Sequence, residues 1–527
     1  MPPITRAAVN SIQSSAGRLA SRRPALCFRV HSSGATSSYS LSAHPKDNPL
    51  IKKERVVILG SGWAGYTFAR SLDLAKFEPV VISPRSYFVF TPLLASTAVG
   101  TLEFRAVLEP IRRLPGVDFY QGWADDVDFT RKKIHIEANA TDDLVKMAVV
   151  PGPAGPGAAK LRGVKGEEFS LSYDKLVIAC GAYSQTFGIE GVREHASFLR
   201  DIGEARRIRL RVLSLFEQCA HRTDPTSPAD SSAGRLSEDD KRTLLHFAIV
   251  GGGPTGIEFA AELNDLIYED LARIYPDLMQ YVKITVYDIA PKVLPMFDQA
   301  LAKYAMDTFA RQGIQVKTEH HLERVRLADG YLGAEHGALR IKVKEYKEQE
   351  VGAGLVVWST GLMQNPLVEK LAAKEFALSG TKEVTHLEKD PKTGGLVTDP
   401  YLRARTNDDK GGLLDDVFVI GDCSVMENDR SLPKTAQVAS QQASDLAKRL
   451  NSGDVAAKPF HFRNWGTLTY LGSWKAIHQS KTELKGWIAW IVWRGAYLTK
   501  SMSVRNKIMV PVYWVTCFLF GRDINRF

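Results

Sequence analysis

Chemistry that depends on cysteine has little to work with in this chain. Its five cysteines, Cys27, Cys180, Cys219, Cys423 and Cys517, form no CxxC or CxxxxC pair, which speaks against a dithiol relay or a disulfide framework. No His/Cys cluster has zinc spacing and no D-x-D-x-D-G calcium loop occurs, so no metal is expected. Long apolar runs are also missing. Trp487–Trp493 stops at Arg494, and Ile508–Phe520 is thirteen residues long and contains Pro511. A membrane-crossing helix needs about 20 predominantly apolar residues, so neither segment is expected to span a bilayer.

Acidic residues are absent before Asp47, where Arg6, Arg18, Arg22, Arg23 and Arg29 lie among serines. That is the pattern of a mitochondrial transit peptide rather than a secretory signal, which needs a compact apolar stretch. The bland alternative is a basic tail. Residues 1–48 are set aside on this ground, with cleavage expected between about residues 30 and 48. The formal charge of +9 divides unevenly: +5 over 1–48, +9 over 456–527, and −5 over the body between them. A mildly acidic body with basic ends argues against a nucleic-acid groove across the core. With 44% hydrophobic and 24% charged residues over 527 positions, the chain is globular and too long for one ordinary core.

What is present is a pair of glycine fingerprints. Val56-Val57-Ile58-Leu59 leads into Gly60-x-Gly62-x-x-Gly65, and Phe247-Ala248-Ile249-Val250 into Gly251-x-Gly253-x-x-Gly256. One such triplet is weak evidence, but both stand between an apolar strand and an amphipathic helix, as a dinucleotide site requires. The first glycine permits the tight turn, the second lets a pyrophosphate approach, and the third lets helix and strand pack. Both halves then repeat one plan. A second strand follows each fingerprint (Pro79–Ile82 and Ile284–Asp288), then an alternating stretch (Lys133–Ile136 and Leu339–Val343), then an apolar strand ending in glycine, at Gly181 and Gly361. This predicts an α/β protein with two doubly wound Rossmann-like domains. Val417-Phe418-Val419-Ile420-Gly421-Asp422 reads as a strand that closes the first domain after the second has been completed, so the second is inserted in the first. The expected divisions are 49–200 and 366–455 for the first domain, 201–365 for the second, and 456–527 for a C-terminal anchoring region. Pro151–Glu168 and Arg222–Arg242 read as polar surface loops.

Residue chemistry separates the two sites. Asp288 ends the second strand of the second domain, where a carboxylate accepts from both ribose hydroxyls and repels a 2′-phosphate, favouring NADH over NADPH. Lys292 stands near enough in sequence to offset that repulsion, and a turn-capping Asp is the alternative. The matching position in the first domain is Ser83-Pro84-Arg85, with no acid; its hydroxyl or guanidinium is left to hold the ribose. Asp422 stands at a strand edge, placed for a ribitol hydroxyl or a flavin-side water, with a plain turn residue as the alternative. Glu258, on the first turn of the second fingerprint helix, either faces the nicotinamide or simply answers the helix dipole. Gln437 and Gln441 share a helix face by their i, i+4 spacing, either as solvated surface or as contacts for a flat quinone ring.

These residues together resemble type II NADH dehydrogenases, the single-subunit NADH:quinone oxidoreductases, of fungal mitochondrial kind. The resemblance runs from about Arg55 to the C-terminus on Gly60-Ser61-Gly62-Trp63, Ser83-Pro84-Arg85, Phe90-Thr91-Pro92-Leu93-Leu94, Gly251–Leu263, Gly421-Asp422, Ala436–Gln441 and Phe520-Gly521-Arg522-Asp523. It implies FAD in the first domain, held by Gly60, Gly62, Gly65, Ser83, Arg85, Gly181, Gly421 and Asp422, with Thr91 and Pro92 near the flavin ring. NADH falls to Gly251, Gly253, Gly256, Asp288 and Gly361. Gln437 and Gln441 line a quinone entrance, and Glu258, Gln437 and Gln441 are the expected catalytic set. Hydride passes from NADH to FAD, and two electrons then pass to ubiquinone without proton pumping. The calcium-binding members carry an EF-hand insertion that this chain lacks.

The tail supplies a route to the quinone. Apolar faces flanked by Lys485, Arg494, Lys500, Arg505 and Lys507 suit helices lying in an anionic membrane interface; a dimer-forming or core-packing helix pair is the alternative, both can hold together, and a homodimer through the tail is plausible. The expected location is the mitochondrial inner membrane, peripheral, with the matrix face favoured. Two rivals are a sulfide:quinone reductase, for which Cys180 and Cys423 at strand ends would have to pair, and an NADH-binding signalling flavoprotein of the apoptosis-inducing type. The Asp288 site argues against the first, and the tail with Gln437 and Gln441 against the second.

Overall fold

The computed structural model describes residues 53–138, 166–221, 236–377, 384–408, 412–479 and 483–525. The proposed targeting segment and most of both polar insertions lie outside the described residues. Strand β1 (Glu54–Leu59) feeds helix α1 (Trp63–Ser71), and β2 (Phe77–Ser83) returns beside β1 in parallel. Val56, Val57, Ile58 and Leu59 are all buried, as expected of a parallel strand covered on both faces. Strand β3 (Lys175–Ile178) lies on the other side of β1, with Val57 opposite Leu176.

The chain then leaves this sheet. Helix α2 (Ile202–Ala220) leads towards β4 (His246–Val250), helix α3 (Pro254–Asp265), β5 (Lys283–Tyr287) and β6 (Leu355–Trp358). These strands build a separate five-stranded parallel sheet, β6–β4–β5 at its centre, which begins with Ser197–Phe198, just before the expected division at 201. Strand β7 (Leu413–Val419) goes back to the first sheet and pairs in parallel with β3, Phe418 opposite Val177. The second unit is thus inserted in the first.

The two alternating stretches end differently. Lys133–Ala138 pairs antiparallel with Asp118–Asp128 and Glu168–Ser172 and extends the first sheet to ten strands. In the second unit Leu322–Leu327, Leu339–Val343 and Glu350–Ala353 form a sheet of their own. One loop expectation is corrected: the end of Arg222–Arg242 enters a helix, Glu238–Leu244. Ser237 and Asp240 form a reciprocal capping box there, a helix-start signal in the sequence that outweighs the polar composition.

Helix α4 (Ala436–Ser452) packs on α1. Beyond it the sequence reading missed a three-stranded antiparallel sheet, Thr467–Gly472, Lys475–Gln479 and Glu483–Gly486. Helices α5 (Trp487–Lys500) and α6 (Val504–Phe520) complete the chain. Among the described residues no helix is long and apolar enough to cross a membrane.

Candidate functional site

Both fingerprints fold into the same cradle. Gly60 and Gly251 have φ of +115° and +113°, a conformation closed to ordinary side chains. Gly62 and Gly253 precede the first helical residues in extended backbone, and a Cβ on either would meet nothing within 4 Å. On that open side a phosphate can approach the first-turn N–H groups. A Cβ on Gly65 or Gly256 would overlap the carbonyl oxygen of Gly60 or Gly251, so helix and loop pack backbone against backbone.

The first cradle is closed by neutral groups. The Ser61 hydroxyl meets the Ser83 hydroxyl at 2.9 Å, and Ser83 Oγ accepts the Arg85 N–H at 3.2 Å. Arg85 Nε lies 3.2 Å from Asp201, the N-cap residue of α2. The Thr91 hydroxyl accepts the Trp63 indole N–H at 2.9 Å, and Pro92 sits in the same tight turn, Thr91–Leu93. Gly181 has φ +68° with open space where a Cβ would stand. Gly421, at φ +79°, gives its N–H to Gln442 Oε1 at 2.8 Å, and a Cβ on it would stand 3.1 Å from Ala64 of α1. Gly60, Gly62, Gly65, Ser83, Arg85, Gly181, Gly421 and Asp422 therefore gather at one sheet edge.

Arg200 is the residue that sequence reasoning missed. Its Nη2 lies 4.0 Å from Asp422, while its buried Nη1 has no partner among the described residues. Burial raises the Asp422 carboxyl above its usual range, against the pull of Arg200 and Lys434. Asp422, Arg430, Lys434 and Gln442 line a small surface cleft. An unsatisfied guanidinium N–H is the complement of a pyrophosphate oxygen, and together with the open first turn at Gly62 these residues fit a flavin dinucleotide. No motif marks Arg200; only the fold brings it to Asp422, 222 positions later.

The second cradle is closed by charge. Asp288 accepts the N–H of Gly252 on one oxygen and the N–H of Ala290, at 2.7 Å, on the other. The carboxylate is a brace for the loop as well as a strand-end acceptor, since each oxygen keeps a second lone pair. Lys292 donates to the Phe297 carbonyl at 3.3 Å. Gly361 has φ +73°, and a Cβ there would stand 2.8 Å from the ring of Phe187. Ala182–Ser184 and Leu362–Gln364, which follow Gly181 and Gly361, pair as a two-stranded ribbon between the two units.

Glu258 faces neither solvent nor, as one alternative had it, the dipole alone. It is buried, and its Oε1 accepts the Tyr470 N–H at 3.2 Å and the Trp493 indole N–H at 3.3 Å. Its Oε2 accepts no hydrogen bond from the described residues. Burial pushes this carboxyl up to about 8, opposed by those two donors. Asp265, farther along α3, accepts from the Tyr470 hydroxyl at 2.6 Å and is pushed by burial to about 7. Between them Glu262 accepts from Ser96 at 2.6 Å and Thr101 at 2.9 Å.

Gln437 and Gln441 are half-buried, and both carboxamides are engaged. Gln437 accepts the Trp465 N–H at 2.8 Å and donates to the Gly466 carbonyl at 3.3 Å. Gln441 accepts the Arg463 N–H at 3.0 Å and donates to the Arg463 carbonyl at 2.9 Å. Both amides bond main chain and so tie α4 to the start of the C-terminal region. The basic flank is corrected. Arg494 sits among Trp490, Trp514 and Trp474, 4.1, 4.3 and 5.8 Å from their ring centres, and Arg505 is anchored to the Leu108 carbonyl at 2.9 Å. Lys485, Lys500 and Lys507 remain exposed.

The family model described as pyridine nucleotide-disulphide oxidoreductase matches residues 54–443, and the NDH2 C-terminal domain matches 465–523. A probable NADH dehydrogenase of Dictyostelium discoideum is 37% identical over 488 residues, 92% of this chain and 93% of that protein. The external NADH-ubiquinone oxidoreductase 2, mitochondrial, of Saccharomyces cerevisiae is 31% identical, covering 90% of this chain and 82% of its own. The structure of NDH2 from Plasmodium falciparum in complex with NADH superposes with a TM-score of 0.72 at 24% identity, over 90% of this chain and all of that one, a likeness of fold. Glycine cradles, inserted second unit and C-terminal region thus agree with sequence kinship along nearly the whole length, and the chain belongs to the pyridine nucleotide-disulphide oxidoreductase family and, within it, to the type II NADH dehydrogenases.

Proposed function

We propose that the protein is a non-proton-pumping NADH:ubiquinone oxidoreductase held peripherally on the mitochondrial inner membrane. One observation carries this reading: α3, the helix of the second cradle, is hydrogen-bonded through Glu258 and Asp265 to a C-terminal region with an apolar exposed surface. Trp487, Ile488, Ile491, Ile508, Val512, Val515, Phe518 and Phe520 are all about half exposed or more, far beyond the scattered apolar residues of an ordinary surface. Nucleotide binding and a lipid-facing surface are thereby joined through side chains.

FAD falls to the first unit, 49–200 with 366–455, and NADH to the second, 201–365. Bound flavin supplies hydride acceptance and electron release, chemistry that no side chain offers. The chain's own residues bind and orient. Gly62 and Gly253 leave room for pyrophosphates, Arg200 meets the first with its unsatisfied N–H, and Asp422 stands ready for a ribitol hydroxyl. Asp288 braces its loop and keeps a negative charge where a 2′-phosphate would fall. Glu258 holds a proton at neutral pH, within a region that Tyr470, Trp493 and Tyr497 keep dry, and can deliver it where a quinone gains charge. Exposed Lys485, Lys500 and Lys507 favour an anionic headgroup layer, and the same apolar surface admits a homodimer. The matrix face is favoured by a basic N-terminal segment with no long apolar run after it.

Steady-state NADH oxidation by FAD-loaded protein with a soluble ubiquinone tests the reading, with sulfide as the rival donor. Sulfide-driven quinone reduction without NADH activity would replace it with a sulfide:quinone reductase. NADH binding without quinone turnover would leave a signalling flavoprotein. Protease protection in intact mitochondria decides the face.

A further inference from the structure

Two cysteines that the sequence separates by 243 positions come together beside the first cradle. Strands β3 and β7 are parallel neighbours, with Ile178 opposite Val419. Cys180 follows β3 and immediately precedes Gly181, while Cys423 ends the tight turn Gly421–Cys423 after β7. The Cys423 thiol reaches back across the strand gap to the Ile178 carbonyl at 3.5 Å and lies 3.4 Å from the Ile420 carbonyl. The Ile178 carbonyl that it meets belongs to the residue two before Cys180, so the two thiols stand as neighbours across the strand gap and perturb one another. Cys180 is partly exposed and Cys423 is buried. The other described cysteines have no sulfur partner: Cys219 is buried in a helix, and Cys517 donates to the Thr101 carbonyl at 3.2 Å.

The arrangement is that of a dithiol rather than of two packing residues. The neighbouring Cys180 thiol and the Gly181 N–H favour negative charge on the Cys423 sulfur and hold that thiol below its ordinary range, with Cys180 held above it as the proton donor. The thiolate is the form that attacks.

We propose that Cys180 and Cys423 form a peroxide-sensitive thiol pair that closes to a disulfide at the edge of the flavin cradle. Its location differs from a CxxxxC pair on one helix, which the chain lacks. Hydrogen peroxide is the oxidant. The thiolate attacks one peroxide oxygen and breaks the O–O bond; the other oxygen leaves as water, taking the proton that Cys180 shared. The sulfenic acid so formed is displaced by the second sulfur, forming the S–S bond and releasing a second water after proton uptake. Two thiols lose two electrons and two protons in all, and one peroxide becomes two waters. Because Gly181 and Asp422 are the immediate neighbours of the two sulfurs, closure fixes both strand edges at the cradle.

The test uses the full-length FAD-loaded protein, treated with a small excess of hydrogen peroxide, denatured, alkylated and digested. The expected result is loss of two of the five titratable thiols and one Cys180–Cys423 cross-linked peptide, reversed by dithiothreitol. Cys180→Ser abolishes the cross-link, whereas Cys219→Ser leaves it intact. Unchanged thiol counts, or sulfinic acid on either residue with no cross-link between them, would overturn the proposal. So would a disulfide formed with another cysteine. Peptide mapping of the unmutated protein decides the matter even where a variant folds poorly, and it is independent of whether quinone is the electron acceptor.

Discussion

The two cradles share a backbone and close it with different chemistry. In the first, the residue between the glycines is Ser61, whose side chain bonds the neutral Ser83 hydroxyl. In the second it is Gly252, whose main-chain N–H bonds the Asp288 carboxylate. A Cβ on Gly252 would stand 2.6 Å from Val293 and 2.9 Å from Asp288, so the charged closure forbids the side chain that the neutral one requires. Two residues past the third glycine the contrast recurs: Thr67 on α1, Glu258 on α3, both buried. One fold duplicated thus separates into a neutral site with a cation, Arg200, beside it and an acidic site with a proton-holding carboxyl behind it. The difference lies in which partner carries charge, while the loop geometry is kept.

The largest expected effect comes from exchanging equivalent glycines. Gly65→Ala and Gly256→Ala both overlap a loop carbonyl, at a cost of about 1–3 kcal/mol or more for overpacking. The first should lower flavin content of the purified protein severalfold, and the second should keep the flavin and raise the NADH KM. Equal flavin loss from both would break the assignment of cofactors to cradles.

Next in size is Glu258→Gln. The quinone-dependent rate of the unmutated enzyme should fall as pH rises through about 8, where the carboxyl loses its proton, and that limb should vanish in the variant. Stability carries the same sign. Between 4.5, the ordinary value, and about 8, the folded chain keeps a proton that the unfolded chain has released. Urea midpoints should therefore decline over that window and flatten above it, with a shallower decline in the variant. A pH profile identical in both proteins would remove Glu258 from proton delivery.

Asp288 separates charge from bracing. Asp288→Ala loses both and should raise the NADH KM about tenfold, roughly 1.4 kcal/mol. Asp288→Asn keeps an acceptor for Gly252 and should mainly relax discrimination against NADPH. If both variants discriminate as before, the acidic character of the second cradle has no bearing on cofactor choice. The smallest effect belongs to the ties on α4. Gln437→Ala and Gln441→Ala each remove two hydrogen bonds, about 1 kcal/mol apiece. They should weaken co-sedimentation with anionic vesicles while flavin content stays constant; lost flavin instead would make them part of the first cradle.

Much of this was legible in the sequence because local patterns encode it. The glycine triplets, the apolar parallel strands and the Val417–Asp422 return all depend on neighbours within a few residues. Asp288 was visible too, though its bond to Gly252 was not. What stayed hidden lies in long-range contacts. Glu258 meets Tyr470 across 212 positions, so its environment cannot be read from helix α3 alone. Gln437 and Gln441 share a helix face as their spacing says, but the face looks at a chain segment whose position only the fold determines. The short strands between Thr467 and Gly486 were masked by aromatic and basic residues that suited a membrane surface equally well.

The amide ties of α4 have a consequence for how this region tolerates change. Gln437 and Gln441 address the main chain of 463–466 and none of its side chains. Such a joint is blind to residue type: Arg463 and Trp465 can drift to almost anything and the tie persists. An imino acid is the exception, since proline at 463 or 465 has no N–H to give. Sequence variation at this seam should therefore be wide and proline-free, a mark of attachment by backbone alone.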